Sequence, residues 1–450
     1  MCRLANVLMG QCREQEIQNN PQKMMKKILL LLLLTANVVV HAQSKNDDIT
    51  VSEATRIENV LASDDMRGRK AGSPDIAKAA AFIAIEFKKA GLQPLQGNSF
   101  LQPFVMVRPK LKELKYKAEG GDVDAKNIFI ITPQPEIEVN EASGYEVRTI
   151  KAGGNMAMQA RALNAEKKNL IVLVDPSYAP DFSRLSAFKR PMFQTPYSKI
   201  FLLATDLPKT FTVKASHDFE ETHFANVVGI LPGKSKKAEQ VVFSSHYDHL
   251  GVGRPVGTDS IYNGANDDAA GTTAVIMLAK HFKKMGNNER TLVFAAFTAE
   301  EIGGFGSQYF SQQMNPSDVV AMFNIEMIGT ESKWGTNSAY ITGFEKTDMG
   351  EILQKNLQGT AFQFHPDPYP DQQLFYRSDN ATLARLGVPA HTISTSKMDS
   401  EPNYHKVSDE VSTLDLENMT NIVKAIAESS KTIVSGADTP TRVKAESLQR

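Results

Sequence analysis

Cysteine is nearly absent from this chain. Only two of the 450 residues are cysteine, and both, Cys2 and Cys12, lie close to the start. The rest of the chain therefore has no thiol that could form a disulfide or carry out thiol chemistry. No cysteine follows the apolar segment near the start, which also argues against a bacterial lipid anchor.

An excess of charge of one sign is absent as well. The chain has 50 Lys and Arg against 51 Asp and Glu, a formal net charge of -1 and a pI near 6.8. This balance gives no global attraction to an anionic membrane, and we expect no nucleic acid partner. With 42% hydrophobic and 22% charged residues the composition is typical of a soluble globular protein. The length is enough for one large or two ordinary domains.

Long apolar runs are limited to one segment near the start. Met24-Met25-Lys26-Lys27 precedes an apolar run from Ile28 to Val40, and Val40-His41-Ala42 resembles a signal cleavage site. We predict a signal peptide over 24–42 and export to the periplasm or the extracellular space. The run is roughly half of a membrane span, so a transmembrane helix and a stable membrane anchor are not expected. Residues 1–23 would be a leader or a mis-assigned start.

Secondary-structure patterns predict an α/β fold. Two amphipathic helices are expected at Ala54–Leu61 and Pro74–Ala90. From about 103 to 224 the pattern predicts short alternating strands with many turns. Beyond 226, apolar strands without alternation are separated by helices, which is typical of a mixed, largely parallel central sheet flanked by helices. The predicted strands in this part include Val241–Ser245, Thr291–Phe297, Val319–Ile325 and His391–Ser394, and the helices include Ala269–Lys284, Gly304–Gln312, Asn380–Leu386 and Leu416–Val434.

Acids and histidines are concentrated in five short segments of the C-terminal half. Most of these segments sit at or just past the end of a predicted strand, where ligands gather in such sheets. Two histidines and three carboxylates, with one further Glu beside them, are the parts of a two-metal hydrolytic site. The segments are Ser245-His246-Tyr247-Asp248, Asn266-Asp267-Asp268, Ala299-Glu300-Glu301, Asn324-Ile325-Glu326 and Tyr404-His405.

The first two segments also have ordinary structural explanations. His246 could be a half-buried structural histidine, and Asp268 could cap the helix that follows it. As metal chemistry, Asp248 could accept the second ring N–H of His246 and thereby fix the tautomer that binds a metal. Asp267 is not explained by capping, and bridging two cations is one alternative.

The remaining segments leave similar alternatives open. Of the adjacent acids Glu300 and Glu301, one could bind a metal while the other takes a proton from water, but solvated acids at a helix start are also common. Glu326 ends a strongly apolar segment, where an unpaired carboxylate is costly to bury, so a partner or a metal is expected. His405 lies in a polar loop and could be an exposed histidine. No role is assigned to the other histidines, which are His41, His217, His223, His249, His281, His365 and His391.

Taken together, these segments resemble the M28 family of zinc metallopeptidases. The resemblance is close over about 226–435, extends to the lead-in at 61–69 and fails across roughly 105–220. Its motifs are His246-Tyr247-Asp248, Gly264-Ala265-Asn266-Asp267-Asp268, Glu300-Glu301 and Tyr404-His405. Two departures stand out, because the family usually has Asp at Glu326 and many relatives have His at Asn380.

The resemblance implies a role for each site residue. Asp267 would bridge two zinc ions per chain, with a cis peptide bond to Asp268. His246 and Glu326 would complete one site, Glu301 and His405 the other, and Glu300 would be the general base. Asp248 would contact His246 from outside the ligand set, and Asp268 would also lie outside that set.

The resemblance also implies an activity. Together with the predicted signal peptide, it implies an exported aminopeptidase that acts on peptides with a free N-terminus. A single-zinc glutaminyl cyclase and a binding ectodomain without activity are the alternatives, and zinc contents of two, one and none distinguish the three. We expect a helical N-terminal part of the catalytic domain at 43–104, a β-rich inserted region at 105–220 and a catalytic α/β domain with the metal site at 221–450.

Overall fold

The computed structural model describes residues 48–188 and 190–448. The predicted leader and signal peptide, 1–23 and 24–42, therefore lie outside the described residues. Within the described part, no helix is both long enough and apolar enough to cross a membrane.

The helices of the described residues are α1 (Val51–Leu61), α2 (Ile76–Lys89), α3 (Met156–Ala165), α4 (Ala270–Met285), α5 (Phe305–Gln313), α6 (Met349–Asn356), α7 (Asn380–Ala384), α8 (Leu416–Ser429) and α9 (Lys431–Val434). The strands are β1 (Gln93–Pro94), β2 (Leu101–Ala118), β3 (Gly121–Asp122), β4 (Ile128–Ile131), β5 (Glu136–Asn140), β6 (Glu146–Ile150), β7 (Leu170–Val174), β8 (Met192–Phe193), β9 (Lys199–Leu203), β10 (Phe211–Leu231), β11 (Lys236–His246), β12 (Gly251–Val256), β13 (Asp259–Tyr262), β14 (Arg290–Phe297), β15 (Val319–Ile325), β16 (Ser338–Ile341), β17 (Gln363–Pro366) and β18 (Ala390–Ser394).

The main sheet runs in the order β17-β16-β18-β15-β11-β14-β10-β2-β3. Its centre is parallel, because β14, β11, β15 and β18 pair in parallel with one another. Pairing on both sides of this centre is antiparallel, through β10 and through β16. The predicted mixed sheet flanked by helices is confirmed, and its parallel part is the set of central strands and the edge pair of β16 and β17.

Apolar residues explain why the central strands occupy the middle of the sheet. Every residue of β14 and of β15 is buried, as a strand covered by helices on both faces requires. α4 lies against this sheet and is itself buried over most of its length. Its Phe282 ring packs 5.3 Å from Phe243 of β11, whose ring in turn stacks on Phe323 of β15 at 4.8 Å. The main core is thus formed between the sheet and α4.

The expectation of only short strands over 103–224 is wrong. β2 has 18 residues and β10 has 21, and the two form an antiparallel pair along most of their length. Pro103, Pro109 and a bulge at Ser216 and His217 interrupt the local sequence pattern that would reveal such long strands. Between them in the sequence, a separate four-stranded sheet forms in the order β4-β9-β7-β6.

A buried ion-pair cluster joins three helices of the main core. The carboxylate of Glu86 on α2 is fully buried and lies 2.6 Å from both Arg56 of α1 and Lys280 of α4. Lys89 approaches the same carboxylate at 2.9 Å, and Glu53 of α1 lies 2.5 Å from Lys280. Burial works to raise the pKa of Glu86, but hydrogen bonds from the three cations outweigh it and lower this pKa to about 2.

We predict that Glu86→Gln lowers the free energy of unfolding near neutral pH. Between about pH 4.5 and 2, this free energy should fall less in the variant than in the wild type. The folded-state pKa of about 2 lies below the ordinary value of 4.5, so the carboxylate stabilises the fold above about pH 4.5 and this contribution is lost between about pH 4.5 and 2. Removing the charge should cost about 2 kcal/mol, a decrease of about 2 °C in the unfolding temperature at pH 7. The exposed pair of Glu428 and Lys431 offers Glu428→Gln as the control. Equal unfolding temperatures for both variants would contradict this.

Candidate metal centre

The carboxyl ends of adjacent parallel strands bring the predicted site residues together. His246 is the last residue of β11, Glu326 directly follows β15, and Glu300 and Glu301 follow β14 after a two-residue turn. Because these strands are parallel neighbours, their ends meet at one edge of the sheet. Asp267 joins them from the turn before α4.

Three close approaches define the geometry of the site. Asp267 Oδ1 lies 3.2 Å from His246 Nε2, and Asp267 Oδ2 lies 3.2 Å from His405 Nε2. His405 Nε2 is also 3.2 Å from Glu301 Oε2. Glu300 and Glu326 line the same pocket as Asp267 and His405. The structure therefore gathers all six residues predicted to bind metal or to move a proton, and the two oxygens of Asp267 face different histidines.

Asp268 connects three elements of the site through its buried carboxylate. Its Oδ1 accepts hydrogen bonds from the N–H groups of Met327 and Gly271, each at 3.0 Å. Its Oδ2 accepts from the N–H of His246 at 3.3 Å. The peptide bond between Asp267 and Asp268 is cis, as the family resemblance implies. Asp268 thus ties the ends of β11 and β15 to the start of α4.

Asp248 contacts the site differently from the expectation. His246 Nδ1 lies 3.1 Å from the backbone carbonyl oxygen of Asp248, whereas its distance to the Asp248 carboxylate is 3.8 Å. The carboxylate instead accepts hydrogen bonds from the N–H groups of Glu300 and Glu301, at 3.1 and 3.4 Å. Burial raises the pKa of Asp248 to about 7. Its carbonyl therefore orients His246, and its carboxylate holds the acid pair in place.

Arg69 is a buried residue to which sequence reasoning assigned no role. Its guanidinium donates to the carbonyl oxygens of Tyr247 at 2.8 Å, Asn263 at 2.5 Å, Gly264 at 2.8 Å and Leu61 at 2.6 Å. The first three lie beside His246 and Asp267, and the fourth ends α1. The lead-in at 61–69, which carries part of the family resemblance, is thereby attached to two of the loops that bear site residues.

Asp409 is a second residue that was missed. Its two carboxylate oxygens accept hydrogen bonds from the N–H groups of Asn266 at 2.8 Å and Asp267 at 3.0 Å. Burial raises the pKa of Asp409 to about 6. Asp409 follows His405 in the same loop, and that spacing was the available signal. It fixes the backbone of Asp267 from the side of His405.

His249 is the third residue that was missed. It is buried, and its Nδ1 lies 2.7 Å from Glu301 Oε1 and 3.9 Å from Asp267 Oδ2. His249, Asp267 and Glu301 each offer an atom within 4.8 Å of the other two. Its position three residues after His246 was the only signal in the sequence.

Left-handed backbone conformations lie next to the predicted ligands. Ala299 precedes Glu300 and has φ of 60°, Met327 follows Glu326 and has φ of 53°, and His405 itself has φ of 56°. Residues other than glycine rarely adopt such angles, which cluster at functional sites where the surrounding structure imposes them. These turns therefore support a functional role for this edge of the sheet.

The distances and charges of the donor atoms fit zinc. Two ligands about 2.0 Å from one zinc ion at a tetrahedral angle lie about 3.3 Å apart, close to the 3.2 Å that separates each of the three pairs. His246 Nε2 is buried and, despite this proximity, makes no hydrogen bond with a described group. Burial and nearby acids raise the pKa of Glu300 well above its usual range, and burial raises that of Glu326 to about 7. A site with so many buried acids favours divalent cations.

We predict that Arg69→Lys weakens metal binding, because a lysine ammonium cannot reach four carbonyl groups at once. Zinc affinity, measured by competition with a chromogenic chelator, should fall about tenfold or more. Arg290→Lys is the matched control, since Arg290 is equally buried and donates to the carbonyls of Ile433 and Asp438 at 2.7 Å. Both variants should unfold at lower temperature, but only Arg69→Lys should lose zinc affinity. An equal loss in both would show that Arg69 acts only on global stability.

Comparison with known proteins shows a family to which part of the chain is similar. Residues 226–430 match the model of Peptidase family M28. The "Probable leucine aminopeptidase" of Trichophyton verrucosum is 26% identical over 203 residues, which cover 43% of this chain and 53% of the relative. "Leucine aminopeptidase 1" of Ajellomyces dermatitidis is 28% identical over 210 residues, covering 43% and 52%. The chain thus spans about half the length of these curated relatives.

Solved structures share the fold. The aminopeptidase from Aneurinibacillus sp. strain AM-1 superposes with a TM-score of 0.52 at 18% identity, covering 90% of this chain and 98% of that protein. BSAP, a zinc aminopeptidase from Bacillus subtilis, gives 0.51 at 17% identity, covering 87% and 97%. The family resemblance predicted from the sequence is confirmed over residues 226–430, which match the model of Peptidase family M28.

Proposed function

We propose that this chain is a zinc aminopeptidase, which removes the N-terminal residue of a peptide at a site with two zinc ions. The observation that carries the proposal is the geometry of Asp267, whose two carboxylate oxygens each lie 3.2 Å from a different histidine. A carboxylate shared in this way suits a bridge between two cations. The names of the two leucine aminopeptidase relatives support peptides as substrates.

The chain offers separate ligands for two ions. His246 and Glu326 would hold one ion with Oδ1 of Asp267, and His405 and Glu301 would hold the other with Oδ2. When bound, two zinc ions lower the pKa of a shared water and polarise the carbonyl of the scissile bond. Glu326 Oε2 is hydrogen-bonded by Ser378 Oγ, which fixes the longer side chain that stands here in place of the usual Asp.

Glu300 is the residue that would move the proton. It lines the pocket without lying among the three close ligand pairs, so its carboxylate stays available to the substrate. Burial and the neighbouring acids Glu326 and Asp379 raise the pKa of Glu300, which makes its carboxylate a stronger base. Glu300 would take a proton from the attacking water and return it to the leaving amine.

The two tyrosines of the predicted motifs have different surroundings. Tyr247 is buried and donates its hydroxyl to the carbonyl of Ala225 at 2.6 Å, which is a packing role. Tyr404 lines the pocket and stacks on His405 at 3.9 Å between ring centroids. Its O–H would therefore be the donor to the oxygen that gains charge during attack.

The lining of the pocket favours substrates whose N-terminal residue has an apolar side chain. Its walls beside the acids and His405 include four side chains that are wholly or mainly apolar. A concave site of this kind fixes orientation with a few polar groups and holds the remainder of the ligand by apolar contact. The four residues are Met327, Tyr340, Leu374 and Met398.

We predict that Glu300→Gln abolishes hydrolysis of leucine p-nitroanilide but retains zinc. Removal of a general base lowers kcat by a factor of about 10² to 10⁴. Chelator treatment of the wild type should abolish activity as well, and added zinc should restore it. Glu113→Gln, at an exposed pair with Lys115 on β2, is the control and should keep full activity. Full activity in Glu300→Gln would refute the assignment of the base.

Glu326→Asp tests the ligand that departs from the family pattern. The shorter side chain withdraws the carboxylate from the position that Ser378 fixes, so one of the two zinc ions should bind at least about tenfold more weakly. Metal titration followed by elemental analysis measures this. Unchanged affinity at both sites would mean that the longer side chain of Glu326 is not required for zinc binding.

The alternative functions give different metal contents. A single-zinc cyclase would bind one ion and a receptor-like ectodomain none, and no specific contact among the described residues favours either.

Export stays a prediction from the sequence. The mass of the purified protein would show whether the predicted signal peptide has been removed. The limits of the segments at 43–104, 105–220 and 221–450 also stay predictions.

A further inference from the structure

His249 makes a single hydrogen bond through its ring, and that bond is to a proposed zinc ligand. Nδ1 lies 2.7 Å from Glu301 Oε1. Nε2 is buried and has no hydrogen-bond partner among the described residues. The polar contact of His249 is therefore directed at Glu301.

The distance between His249 Nδ1 and Glu301 Oε1 distinguishes a hydrogen bond from ligation of a common metal ion. Two ligands of one zinc ion lie about 3.3 Å apart, as the pairs around Asp267 nearly do. The 2.7 Å between His249 and Glu301 is too short for that and is typical of a charge-assisted hydrogen bond. Because an ionised carboxylate can only accept, His249 Nδ1–H is the donor.

Glu301 divides its two oxygens between two histidines. Oε1 accepts from His249, and Oε2 lies 3.2 Å from His405, in the direction of the proposed second zinc ion. The hydrogen bond thus fixes the orientation of the carboxylate, with Oε2 facing His405.

The protein holds His249 at its backbone and at its ring. Its backbone N–H donates to the carbonyl of Arg69 at 3.2 Å. At the ring, Gly264, with φ of 58°, packs so closely that a Cβ there would lie 2.5 Å from His249 Cδ2. The guanidinium of Arg69 holds the carbonyl of Gly264 at 2.8 Å, so Arg69 supports both contacts.

We propose that His249 is a positioning residue that orients Glu301 for the second metal ion. This inference rests on the proposed function, because it assumes that Glu301 binds zinc. Hydrogen bonds to metal-ligating carboxylates typically change metal affinity 10- to 100-fold. His249 would therefore set the affinity of one zinc site without touching the ion or the substrate.

Two substitutions separate positioning from packing. His249→Leu keeps a similar apolar volume and removes the donor, whereas His249→Asn keeps an N–H near the place of Nδ1 and loses ring volume. Positioning predicts that His249→Leu weakens one of the two zinc sites about 10- to 100-fold and that His249→Asn restores most of it. Packing predicts the opposite order. His281→Leu, at a buried histidine of α4, should leave zinc affinity unchanged.

Zinc affinity is measured by chelator competition on the full chain, with and without Glu301→Gln. On the Glu301→Gln background, His249→Leu should add less than about a twofold loss, because its effect passes through Glu301. The inference is overturned if His249→Leu lowers zinc affinity by the same factor with and without Glu301→Gln. It is also overturned if the His249→Leu variant binds both ions normally. Wild-type protein that binds no zinc overturns the proposed function instead, so the two failures are distinguishable.

Discussion

The site depends on one carboxylate being held rigidly between two histidines. Asp267 has one oxygen 3.2 Å from His246 and the other 3.2 Å from His405, although these histidines are far apart in the sequence. Its backbone N–H is fixed by Asp409, and the neighbouring carboxylate of Asp268 binds the ends of β11 and β15. Because the backbone of Asp267 is held in this way, the fold sets the spacing of the two halves of the site.

This arrangement concentrates negative charge where little water is present. Burying several carboxylates at one edge of the sheet is unfavourable unless cations or hydrogen bonds compensate. The structure supplies backbone N–H groups to Asp248, Asp268 and Asp409, which lie around the site, and leaves the oxygens of Asp267 facing the histidines. Acids outside the ligand set are thus satisfied by the protein itself, and those inside it suit divalent cations.

The sequence predicted what depends on short-range patterns. The apolar runs of β14 and β15 indicated a buried sheet, and the acids after them indicated where ligands meet. The roles of His405 and Glu326 came from the family resemblance. Arg69 and His249 could not be found, because each acts through contacts with residues distant in the sequence, 178 positions for Arg69 with Tyr247 and 52 for His249 with Glu301. The length of β2 and β10 could not be predicted, because prolines and a bulge interrupt their local sequence pattern. These strands are stabilised by pairing with each other along most of their length.

Anomalous X-ray diffraction at the zinc absorption edge, from crystals of the zinc-loaded protein, is the most direct test of the proposed two-zinc site. We expect two peaks about 3.5–4 Å apart, on either side of Asp267, one beside His246 and the other beside His405 and Glu301. A single peak, or two peaks that do not share Asp267, would contradict this proposal.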